Sequence, residues 1–158
     1  MSQQMLFMDT EFTGFKSPKL ISIGIVALGG EEFYAEAEYA LDDCSDFVLA
    51  TVLPLLNRNK KPLSLEGLRA ELLSWIETVR QDELVLICYD SEYDRRMLDQ
   101  IFNGNMPLGV VLRNLGASYV NKLKQYEFHI KHKQAEHHAL HDARALKYAF
   151  RGWIRKVR

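Results

Sequence analysis

The order of periodicities along this chain predicts an α/β domain with a mixed β-sheet: three strand-like segments come first, then helical stretches alternate with buried strands. Two further observations agree. At 158 residues, with 47% hydrophobic side chains, the chain is long enough for one domain with a sizeable core, expected to span residues 1–158. No internal repeat, low-complexity tract or linker-like composition divides it.

The elements follow in order. Residues 5–9 form a short apolar run, Met5-Leu6-Phe7-Met8, ending in Asp9, and residues 20–28, rich in Ile and Val, form a second. Gly29-Gly30 closes the second run and predicts a hairpin into residues 31–39. There Phe33, Ala35 and Ala37 alternate with Glu32, Tyr34, Glu36 and Glu38, as in a half-buried strand with one polar face. The chain therefore opens with a three-stranded antiparallel meander. Ser45 is a candidate cap for a helix over 46–53 stopped by Pro54. Ser64 is one for a longer helix in which Leu65, Leu68, Leu72, Trp75, Ile76 and Val79 recur at helical spacing.

A buried strand is expected over 84–89, a helix over 91–102 ending at Asn103-Gly104, and a further strand over 110–112. The last helix is expected over 138–157. It would bury Ala139, Ala143, Leu146, Phe150 and Trp153, with Arg151, Arg155, Lys156 and Arg158 complementing its dipole. Residues 114–136 are the least defined. Their Tyr119, Tyr126 and Phe128 lie among Lys122, Lys124, Lys131 and Lys133, which suits either a solvated helix and loop or contacts with phosphates and bases.

Composition narrows the function. Twenty Lys plus Arg against 21 Asp plus Glu give a formal charge of −1, which argues against a protein that coats long nucleic acid through a broad basic surface. A few phosphates at a chain end could still be held where bound cations supply the charge. No apolar run of about 18 residues is present and the start lacks the pattern of a signal peptide, so a soluble, cytoplasmic protein without membrane contact is expected. Cys44 and Cys88 lack metal-ligand spacing and are expected to be reduced thiols.

Chemistry concentrates in three acidic segments: Asp9-Thr10-Glu11, Tyr93-Asp94, and the run from His137 to Asp142. Asp9 and Glu11, two apart on a predicted strand, leave the same face and can share a cation. Asp94 lies just inside a helix that follows a core strand, at the edge where α/β folds place ligands. Asp90, four residues earlier, is a candidate cap for that helix. Four converging carboxylates would repel one another unless divalent cations lay between them, and two Mg2+ or Mn2+ ions about 3.5 to 4 Å apart suit phosphodiester cleavage. His137 and Asp142 would diverge by about 140° on a continuous helix, so His137 is expected to precede it and to be free to accept a proton near neutral pH. All five histidines, at 129, 132, 137, 138 and 141, crowd into thirteen residues. A zinc cluster competes here, against the lack of a nearby Cys and of an HExxH pattern.

These residues resemble the motifs of the DEDDh 3′ to 5′ exonucleases of the ribonuclease H-like superfamily. Asp9-x-Glu11 is similar to the first motif, Tyr93-Asp94 with Leu98 to the second, and His137-x-Ala139-Leu140-x-Asp142-Ala143 to the third. Asp9-Thr10-Glu11-Phe12, then 20–24, then Glu32-Phe33-Tyr34-Ala35, looks closest to the small bacterial, mycobacterial-type 3′ to 5′ exoribonucleases, with oligoribonuclease and ribonuclease T more distant. One departure is Asp90, where many such enzymes carry Asn.

The resemblance implies a ribonuclease H-like fold and a catalytic set of Asp9, Glu11, Asp94, Asp142 and His137. The four carboxylates would be metal ligands, Asp9 bridging both ions, and His137 the general base. It implies single-stranded RNA 3′ ends as substrate, released as nucleoside 5′-monophosphates, and a homodimer. Phe12, by stacking, and Thr13, by hydrogen bonding, are the candidates for contacts to the terminal nucleotide. The alternatives are a DNA-directed exonuclease of the proofreading type and a non-catalytic binder of nucleic-acid ends or of protein on the same fold.

Overall fold

The computed structural model describes residues 3–153. Five strands form one sheet: β1 (Gln3–Phe12), β2 (Leu20–Ala27), β3 (Glu32–Glu36), β4 (Leu84–Tyr89) and β5 (Val110–Asn114). Their order across the sheet is β3-β2-β1-β4-β5. β1, β2 and β3 pair antiparallel, giving the expected meander, while β4 joins β1, and β5 joins β4, in parallel. The carboxyl ends of β1 and β4 thus lie side by side.

Four helices complete the fold: α1 (Leu65–Arg80), α2 (Glu92–Ile101), α3 (Lys122–Lys131) and α4 (Ala139–Ala149). Strand alternation divides the core. Leu6 and Met8 of β1 point to one face and pack with Leu68, Leu72 and Ile76 of α1 and Met97, Leu98 and Ile101 of α2. Phe7 points to the other and packs with Leu146 and Ala149 of α4. β2 is buried along its whole length because both layers cover it.

Local chemistry sets the helix starts. Ser64 Oγ accepts from the Gly67 N–H and starts α1; Ser91 Oγ accepts from the Tyr93 N–H and starts α2. Asp90, expected as a possible cap of α2, is therefore released from that role. Ser45 accepts from the Val48 N–H at 3.3 Å, but the turns after it are irregular: a π-helical stretch, Val48–Val52, runs into a 3₁₀ turn, Leu53–Leu55, that contains Pro54. Proline removes one amide donor and shifts the hydrogen-bond register there.

One expectation is corrected. The last helix ends at Ala149: Phe150 has extended backbone (φ −65°, ψ 124°), pairs with Val120 and packs tilted on Phe7 at 5.3 Å, while Trp153 remains 43% exposed. Aromatic packing and a bridge to the α3 approach win over continued helical spacing. The part of that expectation beyond 153 lies outside the described residues. The indistinct 114–136 stretch contains the solvated helix that was one of its two readings: α3, capped by Asn121, buries only Phe128. Among the described residues, no helix is long and apolar enough to cross a membrane.

Candidate active site

The site stands where β1 and β4 end and α4 begins. Asp9 lies opposite Gly24 of β2 in the sheet register. A Cβ at Gly24 would stand 2.5 Å from Leu140 Cα and 2.6 Å from the Ala139 carbonyl carbon, so the bare glycine lets the first turn of α4 press directly on the sheet. That contact sets the height of Asp142 above Asp9 and Glu11.

The sequence-predicted carboxylates converge in two groups that share Asp9. One is Asp9, Glu11 and Asp142; the other is Asp9, Asp94 and Asp90; within each, the candidate ligand oxygens lie within 4.8 Å of one another. Asp94 is only 2% exposed. Its Oδ1 accepts from the Thr10 hydroxyl at 2.7 Å and the Thr10 N–H at 3.1 Å, whereas Oδ2 is buried with no hydrogen-bond partner. Asp142 Oδ2 accepts from the His137 N–H at 3.1 Å, and its Oδ1 lies 3.3 Å from His129 Nε2.

Every carboxyl of the predicted set resists ionisation. Burial pushes Asp9 well above the ordinary carboxylate range, and the charges of Asp94, Asp142, Glu11 and Asp90 push it further. Burial and then repulsion from Asp142 lift Glu11 to about 9. Burial lifts Asp94 to about 7 against the pull of the Thr10 hydrogen bonds, and Asp142 to about 6 against its hydrogen bond with Glu11 and the pull of His129 and His137. An all-oxygen donor set that repels itself, with one buried oxygen left bare, fits hard divalent cations.

His137 precedes α4, as expected, in a left-handed backbone conformation (φ 65°) that turns its N–H toward Asp142. Its ring packs edge-on against Phe47 at 5.0 Å and lines a cleft of about 370 Å³ together with Asp9, Asp142, Lys122 and Tyr126. The other histidines have separate tasks. His138 Nδ1 caps α4 by accepting from the His141 N–H at 3.5 Å, and burial lowers its imidazole to about 4, keeping that acceptor free. His141 Nδ1 engages the Ala135 carbonyl, and His132 packs on Phe128. Both carboxylate groups lack imidazole, so among the described residues nothing supports a zinc cluster.

Sequence reasoning missed His129. Its Nδ1 lies 2.9 Å from the Gln134 carbonyl oxygen, which orients the ring so that Nε2 faces Asp142. Thirteen residues separate His129 from Asp142, and only the packing of α3 on α4 joins them. The two nucleotide-contact candidates also fare differently. Phe12 stacks on Tyr93 at 5.2 Å, and Phe15, 74% exposed, stands edge-on to both rings. Thr13 is fully buried: its hydroxyl accepts from the Lys19 N–H, its N–H donates to Lys19 O, and its carbonyl accepts from the Ser45 N–H. The structure thus spends Thr13 on closing the loop after β1 and does not bring its side chain to the cleft.

The mixed sheet in the order β3-β2-β1-β4-β5, with helices on both faces and acidic residues gathered at the carboxyl ends of β1 and β4, has the ribonuclease H-like fold. The family is specific: the model of the 3′-5′ exoribonuclease Rv2179c-like domain matches residues 4–153, and the chain belongs to that family. It is a 3′-5′ exonuclease. Among solved structures, S. pombe Pop2p in its Mg2+ and Mn2+ bound form is similar in fold, with a TM-score of 0.59 and 13% identity over 90% of this chain and 79% of that one. A search of curated proteins found no match.

Proposed function

We propose that this protein, as a single cytoplasmic exonuclease domain, removes nucleoside 5′-monophosphates from the 3′ ends of single-stranded RNA with two divalent cations, Mg2+ or Mn2+. The observation that carries the reading is the sharing of Asp9 between two carboxylate groups, one of them containing a buried oxygen without a partner. The preference for RNA rests on the family's description as exoribonucleases. A homodimer belongs to the same reading through the family resemblance; light scattering that finds only an 18.3 kDa species would remove it.

Asp9, Glu11 and Asp142 would hold one ion, Asp9 and Asp94 the other. When bound, the two ions supply the positive charge that stabilises the attacking and departing oxygens of the phosphodiester. The imidazole of His137, standing at the cleft, takes the proton of the attacking water. Its N–H bond to Asp142 keeps the loop, and so the ring, in register with the carboxylates. His129 orients Asp142 from the opposite side. Phe15 offers an exposed ring for the terminal base, with Phe12 and Tyr93 stacked behind it.

Purified protein with a 5′-labelled RNA and Mn2+ is expected to give a ladder shortened from the 3′ end, faster than the matched DNA. Asp9→Asn and His137→Ala are each expected to lose at least about a hundredfold in rate, while circular dichroism stays that of the wild type. Near-normal degradation by both variants would refute the reading, and faster DNA cleavage would refute its substrate.

A further inference from the structure

Asp90 is the one acidic residue of the cluster without a role in the reading above, and the structure withdraws the capping role its position suggests. Ser91 caps α2 instead. The Asp90 carboxylate turns toward Asp9 and Asp94, its candidate ligand oxygen within 4.8 Å of theirs. On the opposite side, Oδ2 receives Lys122 Nζ and Gln125 Nε2 of α3, each at 3.4 Å. Oδ1 takes no hydrogen bond among the described residues. Beside it, Asp94 Oδ2 is buried and unpartnered. A buried carboxylate oxygen with no partner, in a group of three converging carboxylates, marks the place of a cation.

We propose that Asp90 is a direct ligand of the second divalent cation, which is held by three carboxylates, Asp9, Asp90 and Asp94. The inference rests on the two-ion reading and deepens it. Charge supports it: five carboxylates around two dications leave one negative charge over, and the ammonium of Lys122 beside Asp90 matches it. The ligation also joins the ion to α3, because the same carboxylate that would hold the cation holds Lys122 and Gln125. Tyr126, the next residue of α3, lines the cleft. Asp90 thereby couples occupancy of the second site to the position of the cleft wall.

Mn2+ titration of the protein without nucleic acid, followed by calorimetry and by the electron paramagnetic resonance of free Mn2+, tests the proposal. Wild type is expected to bind two ions. Asp90→Asn, which keeps size and polarity and removes charge, is expected to keep one affinity and to weaken the other at least about tenfold. Lys122→Met breaks the same bridge from its other end and leaves the carboxylate. It is expected to bind both ions as tightly as wild type or more so. Two unchanged affinities in Asp90→Asn, or equal weakening in Lys122→Met, would overturn the proposal and reduce Asp90 to an anchor for α3, with the two-ion site intact. A wild type that takes up only one ion overturns the two-ion reading itself, and the proposal with it.

Discussion

The two halves of the carboxylate cluster are built in different ways. Asp94 is sealed, and its brace is Thr10, a residue of the same central strand that carries Asp9 and Glu11. Asp142 is more open, and its braces, His129 and the His137 N–H, belong to α3 and the loop before α4. Asp94 is therefore held directly by the sheet. The second half depends on how α4 seats over Gly24 and how α3 packs on α4. One carboxylate group is part of the fold's centre, and the other is assembled on it.

The strongest way to break this asymmetry is Gly24→Ala. The added methyl must displace the backbone of Ala139 and Leu140, and overpacking of this kind costs about 1–3 kcal/mol. The shift carries Asp142 away from Asp9 while Asp94 keeps its Thr10 contacts. Activity is expected to fall at least about tenfold, with Mn2+ binding lost from one site and retained at the other. Loss of both sites together would contradict the asymmetry.

Removing the metals should next expose the strain that both halves share. Glu11, Asp94 and Asp142 hold their protons more tightly in the fold than in the unfolded chain, with values of about 9, 7 and 6. Between the ordinary carboxyl range and those values the folded state binds more protons, so stability is greatest at low pH and is lost as pH rises through 6, 7 and 9. The metal-free protein is expected to melt on the order of 5–10 °C lower at pH 9 than at pH 5, and added Mn2+ to restore most of the loss at the alkaline end. A flat or rising profile would show that burial and repulsion do not hold these carboxyls above their ordinary range.

Thr10→Val sharpens the comparison on the sealed side. It deletes the hydroxyl that donates to Asp94 Oδ1 and leaves the backbone N–H in place. At pH 8 with Mn2+ the expected loss of stability is about 1.5–3 kcal/mol in chemical denaturation, with a smaller loss in metal-free acid where Asp94 is protonated. The smallest effect is expected from His129→Phe. It keeps the ring packed but removes Nε2 from Asp142, lowering the rate by roughly threefold to tenfold. An effect as large as that of His137→Ala would move His129 from orienting Asp142 to the chemistry itself.

The meander, the Ser64 cap and the strand over 84–89 were legible because each is written locally, in a two-residue alternation, a glycine pair or a hydroxyl ahead of an apolar repeat, whereas Ser91 took the cap of α2 that Asp90 was expected to fill. The last helix was read too long because Phe150 and Trp153 continue its spacing. Their rings are used differently: Phe150 on Phe7 and Trp153 edge-on to Tyr119. α3 was indistinct because a helix that buries one residue in ten carries almost no periodic signal.

The sequence alone determined which chemistry is present: three short acidic segments in a fixed order, each beside a strand end or helix start, and a histidine displaced from the helix that carries Asp142. The tertiary structure decided which acids converge, that Thr13 closes a loop, that His129 faces Asp142, and that Asp90 is free of its helix. The physical reason is range. Caps and alternation act over a few residues, whereas an electrostatic cluster is set by side chains brought within 5 Å from strands and helices that are far apart in the chain.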